Sequence, residues 1–251
     1  GSVNFEREHM TAAGQGAEYD RNHDVLHLLD GAHVNLRNAS TQTRILSGSA
    51  TLAQTDEYME FVDRVNIDTG DQQMTAERAR ITTAGQGSLL ERVNLIDSAT
   101  IMASNPQAGG LRVMSAGNIE VGYADDGETV NAATLTDQAR LQTVGPENTQ
   151  GTSINGQSIA LAVEGTLSQL KEIIARKDVQ LRIGSSVQAR DQEVSADLLT
   201  ASSEGGAVLS EIQFEGNVLF QERPQDSRES IEIRTTRSDR LDAVLTESLS
   251  R

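Results

Sequence analysis

The chain has 251 residues, with 37 acidic and 21 basic side chains, a formal charge of −16 and no cysteine. So acidic a surface repels the phosphates of nucleic acid and of an anionic bilayer, which disfavours both as non-specific partners. Without cysteine there is neither a disulfide framework nor thiolate chemistry, and with aromatics at 3% and no Trp the stacking platforms usual in carbohydrate sites are scarce.

In chain order, Gly1-Ser2 reads as a vector-derived scar, and a flexible lead-in is expected over 1–15. A single β-domain is expected over 16–245 and a short tail over 246–251. No run reaches the roughly 18 apolar residues of a membrane span, and no secretory signal is visible.

From there one strand design recurs at intervals of 33 to 40 residues: "LLDGAHV", "FVDRVNI", "LIDSATI", "LTDQARL", "ARKDVQL" and "FEGNVLF". Its centres are Ala32, Val65, Ala99, Ala139, Val179 and Val218. Six and four residues before each centre, and two after it, the chain is apolar. The successive sets are Leu26, Leu28, Val34; Met59, Phe61, Ile67; Val93, Leu95, Ile101; Ala133, Leu135, Leu141; Ile173, Ala175, Leu181; and Ile212, Phe214, Phe220. Even steps along a strand share one face, so these positions predict a continuous buried side.

The position two before the centre breaks the pattern with Asp30, Asp63, Asp97, Asp137, Lys177 and Gly216. Asp and Gly favour bends, so a bulge that swings this side chain outward is expected, rather than a row of inward acids serving as ligands. A second design is centred on Gly48, Ala76, Ala116, Gly156, Ala196 and Thr236. Its apolar or small residues stand at minus two, zero, plus three and plus five, and that change of parity again predicts a bulge in mid-strand. The stretch "TLSQLKEIIARKDV" from Thr166 has some helical propensity, but Ile173, Ala175, Val179 and Leu181 keep the strand pattern. The "GQG" at 14–16 and 85–87, "DDG" at 125–127, "NPQAGG" at 105–110 and "EGG" at 204–206 read as turns.

About six two-strand repeats predict an all-β fold: an elongated antiparallel β-jelly-roll, or V-shaped stack of strands, with open first and last edges. A parallel β-helix fits a 40-residue two-strand unit less well. The first edge is expected at "EYDRNHDVLHLL" and the last at 229–245, where Arg234, Arg237 and Arg240 make it locally basic.

The stretch "AEYDRNHDVLHLLDGAHVNL" (17–36), the "TAERARI" at 75–81, the "SAGNIEV" at 115–121 and the closing "IQFEGNVLFQ" (212–221) resemble the OstA-type domain of lipopolysaccharide transport. That family includes periplasmic bridge (LptA-like) and membrane-anchored (LptC-like) members and the N-terminal domain of an outer-membrane protein. The resemblance implies a periplasmic bridge component, LptA-like, LptC-like or fused, and the Gly1-Ser2 scar favours the LptC-like or fused form with an inner-membrane anchor helix ahead of residue 1. It implies an apolar trough for lipid A acyl chains, docking to other transport proteins by strand addition, and no cofactor. The expected lining is Leu26, Leu28, Val34, Met59, Phe61, Val65, Ile67, Val93, Leu95, Ile101, Leu135, Leu141, Ile173, Val179, Leu181, Ile212, Phe214, Val218 and Phe220.

Two other classes remain. A β-repeat scaffold or adhesion protein shares the repeats and edges but has a closed core and no lipid cargo. An enzyme is not expected, because no nucleophile triad, phosphate loop or redox centre is evident. His9, His23, His27 and His33 are expected at the surface rather than on a metal, since their spacing is loose for ligands within one strand.

Overall fold

The computed structural model describes residues 1–7, 9–37, 42–53, 55–85, 89–106, 110–145, 150–163, 170–183, 191–203, 211–223 and 234–244. Every regular element among them is a strand. In order these are β1 (Ser2–Arg7), β2 (Met10–Asp20), β3 (Val25–Arg37), β4 (Gln42–Ser47), β5 (Ser49–Ala53), β6 (Tyr58–Asp68), β7 (Gln72–Ala84) and β8 (Leu89–Ala103). There follow β9 (Leu111–Tyr123), β10 (Val130–Val144), β11 (Gln150–Val163), β12 (Leu170–Ile183), β13 (Asp191–Ser202), β14 (Glu211–Arg223) and β15 (Arg234–Val244).

Hydrogen bonding runs from each strand to the next in sequence, with one exception. There β4 and β5 share a single place between β3 and β6, interrupted at Gly48. The all-β antiparallel class read from the repeats is therefore the observed one. The stretch from Thr166 is strand where it is described, as β12. The chain divides into two compact units, Gly1–Asn105 with Ser115–Asn131, and Pro106–Met114 with Ala132–Arg251.

Short connections suit antiparallel neighbours, and aspartates close several of them. Asp20 Oδ1 accepts from the Asn22 amide at 2.8 Å, and Asp68 Oδ1 from the Gly70 amide at 2.8 Å. Asp126 Oδ1 accepts from the amides of Glu128 and Thr129 at 2.9 and 2.8 Å. A carboxylate that captures amides two or three residues on replaces the backbone bond of a turn. The "GQG" at 14–16 is no loop; it lies inside β2, with Gly16 at φ +77°. The 204–206 turn lies outside the described residues.

Each strand of the first design bends at one place. In β6 the bend is Asp63–Arg64, in β8 Asp97–Ser98, in β10 Asp137–Gln138, in β12 Lys177–Asp178 and in β14 Gly216–Asn217, every one with positive φ. β3 turns with Gly31 alone, at φ +57°. These are the minus-two positions and their successors, and in the bend of β6 Val62, Asp63 and Arg64 all point to solvent. A non-glycine residue in the left-handed region is uncommon, and Asp and Asn are among the few that enter it at modest cost. The inward face of the bending strand resumes four residues on, from Phe61 to Val65, while on the facing strand it resumes after three, from Ala76 to Ala79. The facing strand spends one residue at this place where the bending strand spends two. Val62 pairs Arg78, and the next pair is Val65 with Ala76.

We call the line of bends the crest and the two straight parts of each strand its arms. In each unit the arms carry the core. Leu95, Leu135 and Ile173 are all 0% exposed. A single sheet leaves such side chains open to water unless a second layer lies over them. No helix exists among the described residues. The layer over each arm is therefore the other arm: within each unit the sheet is folded along its crest, with the core between the arms.

Candidate functional site

The interior is built by cross-strand matching of large and small side chains. In the first unit Ala79 of β7 stands opposite Phe61 of β6 and Leu95 of β8. On the other arm Met74 stands opposite Ile67 and Ile101. In the second unit Ala175 of β12 lies between Ile159 and Leu199, and Leu199 meets Phe214. Placing an alanine beside a bulky neighbour lets facing layers interdigitate instead of colliding.

Eighteen of the nineteen expected lining residues are buried, from Leu135 and Val179 at 0% to Leu26 at 7%. The exception is Phe220, which is half-buried. Its partner on β15 is Thr236, and β15 is exposed throughout Arg234–Arg240, so on this arm the last interior row has polar side chains beside it, whereas Leu241 and Ala243 stand opposite Phe214 and Ile212 on the other. The register also moves two expected centres, the first because Ala32 pairs with Ser47 and not Gly48. Val218 pairs with Ser238, which puts the centre of the last second-design strand at Ser238 and not Thr236.

The expected lining omits more than half of the buried apolar residues. Strands of the second design contribute Met74, Ala79 and Ile81 in β7, Met114 and Ile119 in β9, Ile159 and Leu161 in β11, and Val194 and Leu199 in β13, all buried. Their signal was the minus-two, plus-three, plus-five pattern around the second centres. β4 and β5 add Ile45, Ala50 and Leu52.

Electrostatically the interior is empty. The polar side chains buried among the described residues are Thr43 and Thr83, and no charged one is buried. Thr83 is satisfied through its hydroxyl, which donates to the Glu57 carbonyl at 3.2 Å. Tyr123, half-buried at the end of β9, has its phenol pushed up to about 12 by the loss of surrounding water. Charges lie outside, for example Arg80 with Glu60 at 3.1 Å, with the Arg80 guanidinium 4.4 Å from the Tyr58 ring centre.

The crest aspartates are on the outside too. Arg78 Nη2 donates to Asp97 Oδ2 at 2.9 Å, Gln157 to Asp137 at 3.3 Å and Asn217 to Asp197 at 2.7 Å. They bind the neighbouring strand, and the alternative of an inward acidic row is set aside by their exposure. Of the four histidines, His23 is exposed with Nδ1 2.6 Å from Asp20, which raises its pKa, while His9 and His33 are exposed. His27 is half-buried against Thr51 Oγ1 at 3.1 Å.

The edges differ from expectation at the N-terminus. Ser2–Arg7 form a strand, and the first edge is β1 rather than the 18–29 stretch, which is the β2–β3 hairpin. β1 pairs Met10–Gln15 of β2 and the Gly16 amide donates to the Gly1 carbonyl at 3.1 Å, so among the described residues Ala17–Asp20 make up a further open half-edge. At the other end β15 pairs both arms of β14.

No family model matches the chain, and no curated protein matches it.

Proposed function

We propose that the chain is a non-enzymatic bridge component of lipopolysaccharide transport in the periplasm, taking acyl chains between the two arms and docking partners on its open edges. The observation that carries this reading is the interior itself. In each unit the same register positions are apolar strand after strand, with no buried charge among the described residues. A lining without fixed polar anchors suits a cargo that must slide, and each methylene it covers contributes about 0.8 kcal/mol. Head-group phosphates stay outside, since an acidic exterior and an uncharged interior both reject them. The open edges β1 and β15 leave ladder groups that another chain's strand can complete. The family resemblance of the repeats points the same way.

One observation favours a second reading, a β-repeat scaffold with a closed core. Leu95, Leu135 and Ile173 have no accessible surface at all, so in this state no room for a water molecule adjoins them. The two readings part on a simple test. The purified chain is mixed with lipopolysaccharide, or with the same material stripped of its acyl chains, and each mixture is separated by density. Co-migration with the acylated form alone is expected. Equal binding of the deacylated form overturns the acyl reading, and binding of neither leaves the scaffold.

A further inference from the structure

We infer that the crest is a hinge, and that the two arms of each unit move about it as separate walls to open the interior. It deepens the function proposed above and rests on that reading only for what enters.

The ladder itself is the first observation. Along the crest the pairing between neighbouring strands is interrupted at every junction whose register is defined from β6 to β8 and from β10 to β15. In the first unit it skips from Val62 to Val65 and from Thr75 to Arg78. In the second it skips from Thr136 to Ala139, Asn155 to Ser158, Arg176 to Val179, Ser195 to Leu198 and Glu215 to Val218. Further register shifts lie near the arm ends, at Thr82/Thr83, Gln142/Val144 and Ala162/Val163. Only those at the crest recur at every one of these junctions, so each arm is paired along most of its length and the pairing lapses on one shared line. Breaks aligned from strand to strand make a line of bending, where scattered breaks would make only local bulges.

The second observation is what stands on that line. The bending residues hold left-handed conformations that their side chains do not favour, the condition in which a backbone stores strain. Several crest ties are side-chain bonds exposed to water, such as Arg78 to Asp97, and exposed ion pairs break readily. The third is closure. An interior with 0% exposure cannot admit a chain unless its arms part, and parting at the crest leaves both ladders intact.

The natural absence of cysteine makes the test direct. Spin labels at Arg92→Cys and Met102→Cys sit on opposite arms of β8, and labels at Glu18→Cys and Glu120→Cys sit along one arm, on β2 and β9. Distances are read by pulsed electron spin resonance with and without purified lipopolysaccharide. The 92–102 distance is expected to lengthen toward the ~33 Å of ten straight strand steps, while the 18–120 distance stays fixed. Independently of lipid, the Asp97→Gly/Ser98→Gly variant is expected to broaden the 92–102 distribution, because glycine leaves the left-handed well freely. An unchanged 92–102 distance in a protein that photo-crosslinks to lipid from Phe61 overturns the hinge and keeps the lipid reading. A broadened glycine variant without lipid adducts supports the hinge and removes the lipid reading. Equal changes in both distances overturn the hinge, since the whole unit then deforms.

Discussion

In β8, Leu95 and Ile101 are 0% and 1% exposed, whereas Asp97 and Ser98 between them lie in solvent with φ of 64° and 55°. The interior is held by side-chain burial repeated on a regular ladder; the crest is held by backbone conformation where the ladder stops. What the contrast teaches is a division of labour. Side-chain identity at the interior sets stability, and residue type at the crest sets the fold angle, so substitutions in the two places should fail differently.

The largest effects belong to the interior. Phe61→Ala and Phe214→Ala should each cost about 3–5 kcal/mol in denaturant unfolding, because both rings are fully buried and the cavity cannot refill. A loss below about 1 kcal/mol would mean that the arms already stand apart. At the crest the choice between valine and glycine is the sharper probe. Gln138→Val should be less stable than Gln138→Gly by about 1–3 kcal/mol, since a β-branched residue resists the φ of 58° held there. Equal stabilities would show that the bend is not fixed by backbone.

Gly48→Ala is expected to fall in a similar range. Its new Cβ would lie 2.7 Å from Asp63 Cβ, at the place where the Gly48 amide donates to the Asp63 carbonyl at 2.8 Å. Overpacking of this kind costs about 1–3 kcal/mol unless the crest gives way. Breaking the Arg78–Asp97 pair with Arg78→Gln should cost at most about 1 kcal/mol, and less at high salt, since both side chains are about half exposed. The smallest effect is electrostatic. His23 should titrate above 6.5 by NMR, because its hydrogen bond to Asp20 favours the imidazolium, and Asp20→Asn should return it toward 6.5. A raised folded-state pKa adds stability that is complete below the unfolded value and is lost as pH rises through the folded one.

Much of this was legible in the sequence, for a physical reason. Period-two burial writes itself into composition, so positions such as Phe61, Leu95 and Leu181 could be named from spacing alone. The bends were legible as well, because Asp63, Asp97 and Asp137 interrupt the parity where a left-handed pair is needed. The exposure of Phe220 was not, since it depends on which residues of β15 stand beside it, and that register is decided by a bulge opposite Gly216. Gly216 itself shows why. With φ +73°, a Cβ there would meet Asp197 Oδ2 at 2.5 Å, so its role depends on a neighbouring strand far away in sequence. Nor could Ser2–Arg7 be recognised as β1, because so short an edge strand covers only half of its neighbour and carries no full repeat.

Site-specific photocrosslinking tests the central proposal most directly. A photoreactive phenylalanine would replace Phe61 or Phe214 on the interior, and Glu60 or Gln213 on the outer face as controls, in the folded chain mixed with lipopolysaccharide. Lipid adducts from the two interior positions and none from the controls are the predicted result. Folded protein that yields no adduct from either interior position would contradict it, and the chain would then be a closed β-scaffold that works through its edges.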